Sequence, residues 1–117
     1  MRPAPAPRDW LATRTPDLTQ IVNAVRRHVE AMGDAHLEAT RDAVIVKRAR
    51  TFAEVKARRD RTELSFIVSR RVADPPVVRT LGLTRTAMVH VIEMIAAGHL
   101  DQHVRDWLTE AQVSSPT

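Results

Sequence analysis

His99 and His103 stand four residues apart, with Asp106 one turn further on, a spacing at which a helix could turn several ligands toward one ion. They do not form the H-E-x-x-H pattern of zinc proteases, because Leu100 holds the place of the glutamate. They are therefore weak metal candidates, two solvated histidines being the simpler reading, and no cofactor is expected. His90 lies between Met88 and Ile92 in an apolar run, where a lone histidine is usually hydrogen-bonded in a core or at an edge. With a carboxylate such as Glu54 or Glu63 it could instead be the acid–base group of a small hydrolase, which would need a concave pocket beside it. Ser65 and Ser69 lack the glycine elbow that presents a serine nucleophile. The chain has three glycines in all, with no phosphate loop and no dinucleotide fingerprint. It has no cysteine, which excludes disulfides, thiolate nucleophiles and Cys-ligated zinc. No catalytic residue is assigned.

The charge is more informative. Residues 41–85 hold twelve Lys or Arg against five Asp or Glu, while the rest of the chain holds six against nine, so the whole formal +4 arises from one central stretch. Sixteen of the eighteen basic residues are Arg, which suits phosphate and carboxylate recognition; a GC-rich genome would yield the same ratio. The basic set is Arg41, Lys47, Arg48, Arg50, Lys56, Arg58, Arg59, Arg61, Arg70 and Arg71, gathered mostly at turns and strand ends, with Lys56 within a strand. The candidate polyanion-binding set is Arg48, Arg50, Arg70 and Arg71 at one end of those strands, with Arg58, Arg59 and Arg61 at the other. Such turns also keep a small sheet soluble and its edges unpaired. A single-strand nucleic-acid binder stacks bases on aromatics, and only Trp10, Phe52, Phe66 and Trp107 exist. Any nucleic-acid binding is then expected through phosphate contacts, with little sequence reading.

The elements that must position these residues follow from periodicity. Residues 1–14 are Pro-rich and aperiodic, a flexible arm. Thr15 as N-cap and Pro16 at the first helical position open a helix over 16–32, with Leu18, Ile21, Val22, Val25 and Val29 on one stripe and Gly33 as its stop. Strands are predicted over 43–46, 51–57, 62–70 and 86–94, the first three as a meander, with Lys56, Glu54 and Phe52 on one side and Val55 on the other. Asp74-Pro75-Pro76 breaks the sheet, 77–81 reads as one helical turn, and a last helix covers about 99–112. The expected architecture is one α+β domain over 15–113, a mostly antiparallel sheet of about four strands packed by two terminal helices, followed by a disordered tail over 114–117.

The phrase Arg50-Thr51-Phe52-Ala53-Glu54-Val55 after Ala43-Val44-Ile45-Val46 resembles the signature of an uncharacterised bacterial family, domain of unknown function 5655. The Asp74-Pro75-Pro76-Val77-Val78-Arg79 loop and the run from Leu100 to Ala111 agree with it. The resemblance covers roughly residues 16 to 112 and implies a fold and a family rather than an active site. Members resemble accessory modules, alone or joined to nuclease-like domains, and the layout is similar to the small YjbR-like α+β domains. Two positions depart from the family pattern: Arg41 replaces a usual Lys, and Ala96-Ala97 stand where a Ser-Pro cap would open the last helix, so that helix should start weakly.

A cytoplasmic, non-catalytic binding or accessory module is expected, with an acidic partner that is either nucleic acid or protein. Non-specific nucleic-acid or phosphate binding is one form of this. The other is protein interaction or self-association through an open sheet edge or the Trp107 helix. No membrane partner is expected, since the longest nearly uncharged run, Met88 to Gly98, is too short to span a bilayer and the N-terminus has no signal-peptide core.

Overall fold

A computed structural model of the chain describes residues 16–58, 61–94 and 97–114. The expected arm, Thr15, Arg59 and all of the expected tail except Ser114 lie outside the described residues. Helix α1 runs Pro16–Met32. Strands β1 His36–Ala39, β2 Ala43–Lys47, β3 Thr51–Ala57, β4 Thr62–Val68, β5 Val77–Gly82 and β6 Met88–Met94 follow, then a 3-10 turn at Ala97–His99 and helix α2 Gln102–Ser114. The sheet is antiparallel throughout, in the order β1-β2-β3-β4-β6-β5. It has six strands rather than about four.

The two additional strands are its edges. β1 carries one large apolar residue, Leu37, among His, Glu and Ala, so neither propensity nor alternation marks it. It forms because Gly33 (φ 77°) and Asp34 (φ 61°) reverse the chain after α1. A tight turn, in which the Thr40 N–H donates to the Ala43 carbonyl at 2.7 Å, then lays Leu37 beside Val46 and Ala39 beside Val44. β5, expected as a helical turn, is an exposed edge strand; a register shift between Val77 and Arg79 leaves Val78 as a bulge. From β4 the chain crosses the end of β6 to reach β5, and the Pro75–Pro76 peptide in that crossing is cis.

Both helices cover one face of the sheet. The α1 stripe, Ile21, Val22, Val25 and Val29, is fully buried against Val44, Val55, Leu64, Phe66 and Ile92. Each such side chain contributes roughly 1.5–3 kcal/mol on leaving water. The helix ends interlock: Gln112 Nε2 donates to the Gly33 carbonyl at 2.6 Å, serving the carbonyl end of α1, and His28 Nε2 lies 2.9 Å from Thr109 Oγ1.

α2 starts well despite Ala96-Ala97. Asp101 is its cap, its carboxylate accepting from the Val104 N–H at 3.0 Å. Phe52 also departs from simple alternation. Val46 pairs with Ala53 but Lys47 with Thr51, so Phe52 is the extra residue of a bulge and joins Ala53 and Val55 in the core, not Glu54 and Lys56.

Candidate oxyanion site on the open face of the sheet

The face of the sheet away from the helices gathers polar side chains in register. Lys56 lies opposite Glu63 and Glu54 opposite Ser65; Glu63 in turn lies opposite Glu93 and Ser65 opposite Val91. Glu63 is the centre. Only 5 % of it is exposed, and three guanidiniums, two from the β3–β4 turn and one from β5, converge on its carboxylate. Arg58, just past β3, donates its Nε–H to Oε1 at 2.9 Å. Arg61, ahead of β4, brings Nη2 to 3.4 Å from Oε2. Arg79, on β5, places Nη2 3.5 Å from Oε1.

Arg79 must cross β6 to get there, a span of two strand spacings or about 9.6 Å, which a long Arg side chain covers. Glu63 and Glu93 are like charges directly opposed across the ladder, a destabilising pair by itself. Arg61 bridges them, with Nε 3.6 Å from Glu93 Oε1.

Burial works against the charged form of Glu63. The Arg58 hydrogen bond and the positive charges of Arg58, Arg79 and Arg61 outweigh it and hold the carboxyl below its ordinary value. Glu63 is thus an anion that fixes three cations in place. Donors remain to spare: among the described residues Arg58 and Arg79 are each engaged through one nitrogen, and Lys56 pairs only with Asp42, 3.9 Å away. They border a depression of about 150 Å³ with Glu54, Ser65, Val89 and Val91. Several guanidiniums held by a buried acid at the rim of a shallow pit can receive an oxyanion.

The other arginines predicted for binding serve differently. The two sets lie at opposite ends of β3 and do not converge. Arg48 donates Nη1–H to the Gln112 carbonyl at 2.8 Å and lies 3.9 Å from Asp34, tying the β2–β3 turn to the helix ends. Arg70 forms a two-pronged pair with Glu110 of α2. Arg50 and Arg71 are exposed and make no ion pair among the described residues. Arg58 and Arg61 are joined by Arg79, which sequence reasoning missed because β5 was read as helix; Val77-Val78 ahead of it were the β-branched signal available.

His90 is sealed in the core with no exposed surface. Its Nε2 accepts from the Val72 N–H at 2.9 Å, its Nδ1–H donates to the Met88 carbonyl at 3.1 Å, and its ring stacks on Phe66 at 5.0 Å. It faces the helices, whereas Glu54 and Glu63 face away from them, so the acid–base pairing is not assembled. The imidazole instead pins the β4–β5 crossing to β6.

His99 sits in the 3-10 turn ahead of α2, so it and His103 do not share the helical spacing expected of them. His103 packs on Trp107 at 4.6 Å. Among the described residues no group of three His, Asp or Glu side chains is placed to hold a metal. Trp107 itself is buried, stacked on Phe66 with ring centroids 5.6 Å apart. No described helix is long and apolar enough to cross a membrane.

Comparison with the curated proteins and with the solved structures gives no match. A family model does match, over residues 8–112, a span that takes in the whole sheet, α1, α2 as far as Gln112 and every member of the Glu63 cluster; the chain belongs to the family described as Domain of unknown function (DUF5655).

Proposed function

We propose that this domain is a non-catalytic binding module whose open sheet face takes an oxyanion of the phosphate class. One observation carries the reading: Arg58 and Arg61 of the β3–β4 turn and Arg79 of an edge strand are organised around the buried carboxylate of Glu63, with Arg58 and Arg79 each engaged through one nitrogen among the described residues. The described aromatics, Phe52, Phe66 and Trp107, are all in the core, so no base-stacking platform accompanies the cations. Recognition then goes through phosphate oxygens and is indifferent to base sequence. A cytosolic setting, suggested by the cysteine-free chain, belongs to this reading.

The test is a titration with pyrophosphate and, separately, a labelled single-stranded oligonucleotide, each at low and moderate salt. Binding that weakens with salt and drops roughly tenfold in Arg58→Gln or Arg79→Gln is expected. Pyrophosphate alone binding would identify a small-anion site, and tighter oligonucleotide binding a nucleic-acid surface. No binding at low salt, or binding indifferent to both substitutions, overturns the proposal.

A second reading, a protein partner or second copy along the β5 edge, is favoured by the exposed Val78 and Leu81 there. The Val78 bulge and the charge of Arg79 oppose a long added ladder. Light scattering over a concentration series tests it: self-association lost in Leu81→Glu supports this reading, and a monomer throughout removes the second-copy form.

A further inference from the structure

At the end of the sheet away from Glu63, a cleft of about 290 Å³ opens between the start of β3, the end of β4, the β5–β6 loop and the last turn of α2. That volume is near the lower end of small-molecule sites, roughly 300–1,000 Å³. Its base is apolar, formed by the core residues Phe52, Val68 and Ala111. At its rim Leu83 is 58 % exposed, an apolar side chain left in water beside an apolar hollow.

Six of its twelve lining residues are polar, and Arg50 is the one charged residue among them. Hydroxyls of Thr51, Ser69 and Thr86 line the cleft and make no side-chain hydrogen bond among the described residues. Arg50 lines it too, with no ion pair among the described residues. Its neighbours are already engaged, Arg48 with the Gln112 carbonyl and Arg70 with Glu110. The rim loop is pre-formed: the Leu83 and Thr84 N–H groups both donate to the Ala87 carbonyl, and the Thr86 N–H donates to Thr84 Oγ1.

We propose that this cleft binds a small organic monocarboxylate with an apolar body. A single unpaired guanidinium matches one negative charge, and its planar fork matches a carboxylate bidentately. The uncharged hydroxyls can support the head group, and the Phe52–Val68–Ala111 base with Leu83 takes the body. A dianionic phosphate would find one cation and an apolar floor, a poor fit. The site lies at the opposite end of β3 from the oxyanion depression and does not rest on that reading.

Backbone amide NMR of the full chain tests this, with 3-phenylpropanoate and 4-methylpentanoate as carboxylate probes, 3-phenylpropanamide as the neutral counterpart, and inorganic phosphate. At least one carboxylate should shift the amides of Thr51, Phe52, Ser69 and Thr84 saturably. Replacing the carboxylate by the amide, or making Arg50→Gln, should weaken binding roughly tenfold. Arg79→Gln, which belongs to the other site, should leave it unchanged. Arg50 is exposed on a turn, so its variant keeps a dispersed native spectrum. No saturable shift with either carboxylate, shifts indifferent to Arg50→Gln, or equal affinity for phosphate each overturns the proposal.

Discussion

His90 and Glu63 are two buried ionisable side chains with opposite tasks. Burial lowers the proton affinity of His90; the Met88 and Phe66 carbonyls oppose this, while the charge of Arg70 adds to it. The unfolded chain takes up this proton near pH 6.5 and the folded chain does not, so His90 contributes full stability above about pH 6.5 and loses it as pH falls toward the depressed folded value. His90→Ala should cost about 2–4 kcal/mol, through a cavity and the orphaned Val72 N–H. Denaturant melts at several pH values should show the difference from the unaltered protein shrinking as pH falls below about 6.5. A constant difference would contradict a neutral buried imidazole. For Glu63 the folded pKa is also depressed, but here the folded form is the charged one. Its contribution is complete above the ordinary carboxylate range and disappears as pH falls through the lowered folded value. Glu63→Gln should cost roughly 1–3 kcal/mol at neutral pH, less than a fully buried pair because its arginines are partly exposed. That deficit should vanish in acid, as melts at low pH would show.

At the level of elements, local chemistry sets the ends and long-range pairing sets the rest. Asp101→Ala removes the α2 cap and should cost about 1 kcal/mol by thermal or denaturant melt. Gly33→Ala should cost about 1 kcal/mol through backbone strain alone, since φ is +77° and no atom lies within 4 Å of where a Cβ would sit. If the Ala variant were as stable as the parent, the left-handed turn after α1 would not be needed. α1 was legible to the residue from its Pro16 start, its apolar stripe and Gly33. β3 was legible from β-branched and aromatic content, and β4 from its period-2 alternation. β1 and β5 were not, because an edge strand is held by one neighbour and need not alternate. The Phe52 bulge was illegible for a related reason: it appears only when Lys47 and Thr51 are known to pair.

For the whole molecule, the central positive charge is divided between structure and surface. Arg48 is mostly buried and joins the β2–β3 turn to α2. Arg48→Gln should therefore destabilise by about 1–3 kcal/mol. Arg70→Gln breaks an exposed pair and should cost at most about 1 kcal/mol. Neither should alter pyrophosphate binding at the Glu63 cluster, whereas Arg79→Gln should; parallel melts and titrations separate the three.

The candidate site was legible only in part. Arg58 and Arg61 stand out as a charged turn, but Glu63 reads as one more strand acid, and Arg79 lies sixteen residues away beyond a break at Pro75-Pro76. The sequence by itself determined the α+β class, the core-facing stripe of α1, the central strands and the position of the charge, because these rest on local periodicity and composition. Only the tertiary structure decided which arginines act together. Strand order, not spacing, brings β5 within an arginine's reach of β4, and the pleat sends Glu63 to the open face and His90 into the core.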